Sequence, residues 1–159
     1  MRKHTSGLAR DLEVLDVLSY AEAFTNGGPG VTRIAELTER DKGQISRVLK
    51  TLSGTGLVDR DSKTRRYSLG PRLYSMAMRT KEAHLAMLSE SRLFELVAQT
   101  QETAHLNVLR GGRVLTTKTV VAAQALRRSG WDGILSAAGS TASGRVMLAG
   151  LTDDEIELW

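Results

Sequence analysis

Apolar residues recur at three- and four-residue spacing through roughly the first third of the chain, a pattern that predicts three short helices. The first helix begins behind Ser6, its predicted N-cap, and ends before the turn cluster at 26–30. Thr32 is the predicted cap of a short second helix, and the third helix runs from about Asp41 to Ser53.

The third predicted helix has one apolar face and one cationic face. On a helical wheel, the apolar side chains of Val48, Leu49 and Leu52 fall within about 60° of Ile45. The opposite side carries small, polar and cationic residues, which are Gly43, Ser46, Arg47 and Lys50. One face of this helix is therefore predicted to pack in a core while the other faces solvent or a partner.

A hairpin and a long helical segment follow. Residues 57–60 and 65–69 have strand character and are separated by a turn at 61–64. Gly70 and Pro71 then end the strand pattern, which predicts a domain boundary at this point. From 71 to 99 the pattern is again helical, with a predicted break near Ser89–Ser91.

The last third of the chain changes to strands. Residues 103–109 alternate, with Ala104, Leu106 and Val108 on one face and His105 and Asn107 on the other. Gly111-Gly112 predicts a tight turn into a second strand over 114–121, and a third short strand is predicted over 124–128. Small residues at 136–144 lead into a helix from about 141 to 149, and a capping box at 152–155 predicts one more.

Composition narrows the classes of function. The chain has no cysteine, which excludes disulfides, thiolate zinc sites and thiol catalysis. It has no apolar run long enough to span a membrane and no signal-peptide core, so a cytoplasmic protein is expected. The net charge is +4 over 159 residues, but positions 40–72 hold nine basic and three acidic side chains. Such a local excess predicts a surface that binds a polyanion.

Three helices followed by a hairpin, with the third helix basic, form the layout of a winged helix-turn-helix domain that binds double-stranded DNA. In that layout the third helix enters the major groove and the hairpin, or wing, lies along phosphates. Gln44 and Arg47 have the chemistry to read base edges, whereas Lys42 and Lys50 suit phosphates. The residues predicted to bind DNA are Thr32, Lys42, Gly43, Gln44, Ser46, Arg47, Lys50, Lys63, Arg65 and Arg66.

Four sequence blocks occur in the order and spacing of one known family. They are DKGQISRVLKTL, GLVDRDSKTRRYSLGPRL, ETAHLNVLRGGRV and STASGRVMLAG. The chain resembles the IclR-type bacterial transcriptional regulators over nearly its whole length. The resemblance implies an α+β fold with a winged helix-turn-helix at 1–70, a linker helix at 71–90 and the N-terminal part of a GAF-like effector-binding domain at 91–159.

The chain departs from the family in two respects. The turn between the second and third helices is a few residues shorter, and it lacks a glycine followed by an aliphatic residue. The family's effector-binding domain also continues beyond the point where this chain ends, so a partial domain is expected. The resemblance therefore predicts DNA binding by this domain more directly than it predicts which side chain contacts which base.

The resemblance implies a small-molecule effector as well as DNA. In such regulators a small metabolite, often a carboxylate, lies near the small-residue turn that here contains Gly139, Ser140, Thr141 and Ala142. Free amides at a helix N-terminus together with hydroxyls suit an anion. A packing turn with no ligand is the alternative. No metal and no other cofactor is expected.

An enzyme is the competing class. The histidines His4, His84 and His105 lie far apart in sequence, and no HExxH, GxSxG, phosphate-loop or GxGxxG motif is present. His105 is interpreted as a sheet-surface or interface residue. We therefore expect a DNA-binding repressor or activator that acts on a palindromic operator as a homodimer or homotetramer. The alternative is a dimerising module that modulates a full-length relative and has no effector response of its own.

Overall fold

The computed structural model describes residues 6–20, 27–124 and 131–157, which form two compact units. One unit extends to Met78 and the other begins at Arg79. Each has its own hydrophobic core. The predicted division at residues 70 and 90 stays a prediction, although the boundary between the units falls inside the predicted linker.

The first unit packs its first three helices on a two-stranded hairpin, and a short fourth helix follows. Its elements are α1 (Gly7–Ser19), α2 (Val31–Leu37), α3 (Lys42–Gly54), β1 (Val58–Arg60), β2 (Tyr67–Leu69) and α4 (Pro71–Ala77). The two strands are antiparallel. Apolar positions of all three helices and both strands meet in one core, whose least exposed members are Val14, Leu18, Ile34, Ile45, Leu49 and Val58. The predicted helical order and hairpin are confirmed.

A Schellman motif ends α2. The amide of Glu39 donates a hydrogen bond to the Glu36 carbonyl at 3.2 Å, and the amide of Arg40 donates one to the Ala35 carbonyl at 3.0 Å. This pair of hydrogen bonds is typical of the motif. Glu39 has φ 51°, in the left-handed region that usually requires glycine. Glu39 thus occupies the position of the glycine that the short turn lacks, and Arg40 occupies the following position.

Glu39→Gly should stabilise the protein by about 0.5–1 kcal/mol, because glycine adopts the left-handed conformation without strain. The greater conformational entropy of glycine in the unfolded chain offsets only part of this gain. Urea unfolding of the two proteins gives the difference. Glu36→Gly is the matched control, because Glu36 is an exposed residue within the same helix. This substitution should destabilise the protein by a similar amount, since glycine is unfavourable inside a helix. A loss of stability in the Glu39 variant would contradict the strain argument.

The second unit places a long helix on one face of a three-stranded antiparallel sheet. Its elements are α5 (Lys81–Thr100), β3 (Ala104–Arg110), β4 (Arg113–Val120), β5 (Leu135–Ala137), α6 (Ala142–Ala149) and α7 (Asp153–Glu157), with strand order β3-β4-β5. Leu93 of α5 packs against Ala104 and Val120 in the core, with Val97 and Leu106 beside them. Two ion pairs join the same helix to the sheet, Glu82 with Arg110 and Glu90 with Lys118.

A β-bulge in β4 reverses which side chains face α5. Leu106 pairs with Lys118 and Asn107 pairs with Thr116, so Thr117 is an extra residue without a cross-strand partner. Successive side chains of a strand alternate between faces, and one extra residue moves all that follow to the opposite face. Thr116 consequently shares a face with Asn107, on the side of the sheet away from α5.

Two predicted helix boundaries are wrong. The second helix begins at Val31 with Gly30 as its N-cap, so Thr32 lies inside the first turn. The long helical segment breaks at Met78–Thr80 rather than at Ser89–Ser91. Thr80 starts a new helix because its hydroxyl accepts the amide of Ala83, whereas the Ser89 hydroxyl donates to the Ala86 carbonyl and leaves the helix continuous.

Two predicted strand boundaries also differ. The second wing strand begins at Tyr67 rather than Arg65, because Arg65 has φ 60° and closes the turn. The third strand of the sheet is Leu135–Ala137, which the sequence pattern did not predict. The strand predicted over 124–128 lies almost entirely outside the described residues.

Candidate nucleic-acid interface and ligand cavity

The third helix of the first unit divides into a buried face and an exposed face. Ile45 and Leu49 are fully buried, and Asp41 caps the helix by accepting the amides of Gly43 at 2.8 Å and Gln44 at 3.1 Å. Because the cap and the buried face fix the helix, its other side is presented as a rigid surface. The six predicted DNA-binding residues of α3 are all exposed: Lys42, Gly43, Gln44, Ser46, Arg47 and Lys50.

The tip of the wing is organised by one carboxylate. Asp61 accepts the amide of Lys63 at 2.9 Å, the amide of Thr64 at 2.6 Å and the hydroxyl of Thr64 at 2.9 Å. These hydrogen bonds, those of Thr64 first, hold the pKa of Asp61 below its usual range, so the carboxylate is charged at neutral pH. Lys63 and Arg65 are exposed on this turn.

The other predicted wing arginine has a partner within the protein. Arg66 is half-buried and donates from Nη1 to the carbonyl of Gly28 at 2.7 Å. The guanidinium of Arg60 lies over the Tyr67 ring, 5.5 Å from its centroid. Arg66 thus ties the hairpin to the segment before α2, and its predicted phosphate contact stays a prediction. So does the DNA contact of Thr32, which is exposed on α2.

A cavity of about 220 Å³ lies in the second unit, on the face of the sheet away from α5. Its lining is mainly polar and aromatic, with one valine, and comes from β3, β4, the segment before β5, β5 itself and the start of α6: His105, Asn107, Val114, Thr116, Trp131, Ser136, Thr141 and Ser143. The bulge at Thr117 is what brings Thr116 and Val114 to this face. None of these lining residues is a lysine, arginine, aspartate or glutamate.

Hydrogen bonds and ring contacts hold the cavity walls. His105 Nδ1 lies 2.9 Å from the Thr119 hydroxyl, and its ring meets Trp131 edge-on at a centroid distance of 6.2 Å. On the floor, the hydroxyl of Thr116 donates to Asn107 Oδ1 at 2.8 Å. These contacts give the cavity two aromatic walls and a set of hydroxyl and amide groups.

The structure brings one of the four predicted effector residues to this cavity. Thr141 lines it and caps α6 by accepting the amide of Gly144 at 3.0 Å. Gly139, Ser140 and Ala142 are exposed and lie outside the lining, with the Ser140 hydroxyl donating to the Ala137 carbonyl. The predicted helix N-terminus exists, and Thr141, its N-cap, is the residue of the 139–142 turn that lines the cavity.

Sequence reasoning missed most of the cavity. His105 was interpreted as a surface or interface residue, although the alternation that placed His105 and Asn107 on one face was the available signal. Trp131 follows residues 125–130, which the structure does not describe. The sequence around Trp131 has no helix or strand periodicity that would indicate its place in the cavity.

The described ranges contain neither a cluster of metal-binding side chains nor a membrane-spanning helix. No group of three or more histidine, aspartate or glutamate side chains there is arranged to hold a metal ion. No helix in that part of the chain is long and apolar enough to cross a membrane.

Two family models together match most of the chain. The IclR helix-turn-helix domain matches residues 7–62, and the C-terminal domain of the bacterial transcriptional regulator IclR matches residues 77–159. The predicted α+β fold, a winged helix-turn-helix followed by an IclR C-terminal domain, is confirmed.

Individual relatives agree with the family models. The HTH-type transcriptional regulator BhcR of Paracoccus denitrificans is 29% identical over 145 residues, which cover 89% of this chain and 50% of BhcR. The probable transcriptional regulator SauR of Cupriavidus necator is 30% identical over 151 residues, or 94% of this chain and 58% of SauR. This chain therefore spans about half the length of these curated relatives.

A solved structure agrees in fold. An IclR homologue from Microbacterium hydrocarbonoxydans, crystallised in complex with 4-hydroxybenzoate, superposes with a TM-score of 0.80. Its sequence is 19% identical, and the match covers 94% of this chain and 60% of that one. The matched proteins are transcriptional regulators, which confirms that an enzyme was rightly excluded. With both of its domains matched, this chain belongs to the IclR family of bacterial transcriptional regulators.

Proposed function

We propose that this chain binds operator DNA in the bacterial cytoplasm and that a small metabolite in the cavity modulates this binding. The observation that carries the proposal is the exposed polar and cationic face of α3, backed by the buried Ile45 and Leu49. A helix of this kind followed by a hairpin docks in the major groove, while the hairpin follows the phosphates.

Base readout in this proposal comes from α3. Arg47 pairs with a guanine edge and Gln44 with an adenine edge, since these side chains match those donor and acceptor patterns bidentately. Lys42 and Lys50, exposed on the same helix, neutralise flanking phosphates. Gly43, which has no side chain, and the short side chain of Ser46 allow the helix to approach the base pairs closely.

The proposal places two half-sites on one palindromic operator, each read by one copy of the chain. The second unit offers a surface for a second copy on α5, where Leu85, Leu88 and Leu96 are 41%, 66% and 48% exposed. These leucines follow one helical stripe, whose members lie roughly 60° to 140° around the helix from Leu93, the residue that packs on the sheet. A symmetric pair is therefore proposed to bind through this stripe.

The cavity limits the class of metabolite. Its volume of about 220 Å³ exceeds the ~150 Å³ cavity that holds benzene and is below the ~300–1,000 Å³ of pockets for drug-sized ligands. A single ring with small substituents fits, and the lining contributed by the described residues, which contains no Lys, Arg, Asp or Glu, favours a neutral or singly charged ligand. The 4-hydroxybenzoate in the complex of the Microbacterium hydrocarbonoxydans homologue is a ligand of this class.

Selection of a duplex from a random library by the unmodified chain tests the DNA-binding proposal. Fluorescence anisotropy should then show tighter binding to the selected duplex than to a scrambled duplex, by about 10³-fold or more. Equal affinity for both duplexes would contradict sequence-specific binding. Binding that occurs only after mixing with a full-length relative would instead favour the dimerising module.

Tryptophan fluorescence tests the cavity. In a Trp159→Phe background Trp131 is the remaining tryptophan, and titration with 4-hydroxybenzoate or benzoate should change its emission saturably. Citrate, which carries several charges, is the control and should leave the emission unchanged. No saturable change with any single-ring compound would favour the packing-turn alternative.

The two wing arginines should differ in their effects on DNA binding. Arg65→Ala should weaken all duplexes alike and lower the salt slope of log Kobs by about one unit, because an exposed phosphate contact is lost. Arg66→Ala should instead cost about 1–2 kcal/mol of stability, through loss of the charged hydrogen bond to Gly28. Salt titrations and urea unfolding of both variants separate the effects, and identical slopes for the two would contradict this assignment.

A further inference from the structure

Arg40 joins the turn before α3 to the first helix. Its Nη1 donates to the carbonyl of Arg10 at 2.8 Å and its Nη2 to Asp11 Oδ1 at 3.0 Å. The Arg40 side chain is only 11% exposed, whereas that of Asp11 is 41% exposed. Its Nε is buried and has no partner among the described residues. This guanidinium is therefore held inside the protein and is not available to DNA.

The place of Arg40 in the turn gives this contact its importance. Arg40 follows the left-handed Glu39 in the Schellman motif, a position where an apolar residue usually packs back on the helix that has just ended. It also directly precedes Asp41, the N-cap of α3. A single residue thus connects the end of α2, the start of α3 and the side of α1.

The two hydrogen bonds from Arg40 to Arg10 and Asp11 form a polar clamp between the turn and α1. Such a clamp fixes the relative orientation of two segments more strictly than an apolar contact does. Two charge-assisted hydrogen bonds define direction as well as distance, while an apolar side chain tolerates small shifts and rotations. This ion pair, in which Arg40 is buried and Asp11 partly exposed, is also a poor source of net stability, because desolvation of the guanidinium and solvent screening at Asp11 offset most of the attraction. The clamp therefore contributes more to geometry than to the free energy of unfolding.

We propose that Arg40 is a positioning residue for DNA recognition, which sets the angle of α3 through its hydrogen bonds to α1. The proposal rests on the proposed DNA binding by α3. In this arrangement Arg40 takes the position that follows the left-handed residue, where the family has an aliphatic side chain, and it aligns Gln44 and Arg47 with the bases without itself contacting DNA.

Arg40→Leu is the decisive variant, because it supplies an apolar residue at the Schellman position and removes the clamp. Asp11 remains more than a third exposed and is solvated after the change. We expect a folded protein whose preference for the selected duplex over a scrambled one falls about 5- to 100-fold, the range for one lost base contact. The salt slope should be unchanged, since no phosphate contact is removed.

Three further variants complete the comparison. Arg40→Lys keeps the charge but cannot form both bonds in the same fork and should lose most of the preference. Asp11→Asn keeps an acceptor oxygen and should retain most of it. Arg92→Leu removes an arginine from an exposed ion pair of the second unit and should leave the preference unchanged.

Amide hydrogen exchange without DNA tests the clamp independently of the proposed function. Arg40→Leu should speed exchange at residues 38–44 and leave the β1–β2 hairpin unchanged. Unaltered exchange in this segment, an unaltered duplex preference, or a reduced salt slope would each overturn the positioning role. If the unmodified chain selects no duplex, the proposed function fails, and the exchange experiment still decides whether Arg40 fixes α3.

Discussion

Leu88→Glu should convert a dimer of this chain to monomers and weaken binding to the selected operator by about 10²–10⁴-fold, the range over which two linked sites exceed one. Leu88 is 66% exposed on α5, so the substitution adds little strain within one copy. In a symmetric pair it would bring two carboxylates together in an apolar contact. The loss should therefore appear in assembly and operator affinity rather than in folding.

Light scattering at micromolar concentration measures the assembly, and anisotropy measures the operator affinity. Met87→Glu is the matched control, because Met87 is 64% exposed on the same helix but on a different side of it. Dissociation by Met87→Glu and not by Leu88→Glu would assign the contact to the other stripe, which includes Phe94. An unmodified monomer that binds the operator tightly would contradict the dimer proposal altogether.

Arg47→Ala should cost about 1–3 kcal/mol on the selected duplex and relax the sequence preference at one base pair of each half-site. Arg47 is exposed on α3, and its only described hydrogen bond is a long one, from Nε to the Gly43 carbonyl at 3.4 Å. Little has to be broken inside the protein before the guanidinium pairs with a guanine. The full value of a bidentate contact should therefore appear as discrimination.

Competition binding with duplexes changed one base pair at a time measures this effect. Lys50→Ala is the control on the same helix, since a lost phosphate contact weakens selected and scrambled duplexes alike. If Arg47→Ala weakened both duplexes equally, Arg47 would be a phosphate contact and the reading of bases would lie elsewhere on α3.

Local interactions explain why much of the first unit could be predicted from the sequence. The 3.6-residue period of Ile45, Leu49 and their neighbours defines both the helix and its buried face. Caps act over two to four residues, so Asp41 and Thr141 could be located near helix starts before any contact was known. The order of three helices and a hairpin follows from such short-range signals.

The same argument accounts for the capping box near the end of the chain. Thr152 and Glu155 exchange hydrogen bonds across one turn, and Thr152 holds the pKa of Glu155 below its usual range. Every partner lies within three residues in sequence. Patterns of this length are visible in the sequence itself.

Contacts between distant residues decided the rest. The bond from Arg66 to Gly28 spans 38 residues and the one from Arg40 to Asp11 spans 29, and neither distance has a sequence signature. The bulge at Thr117 depends on the register of two strands, yet it determines that Thr116 lines the cavity with Asn107. The sequence by itself determined the order of three helices and a hairpin in the first unit and the cationic face of α3, because these depend on neighbours along the chain. The clamp at Arg40 and the cavity at His105 and Trp131 were decided only by the tertiary structure, because they depend on strand register and on packing between elements.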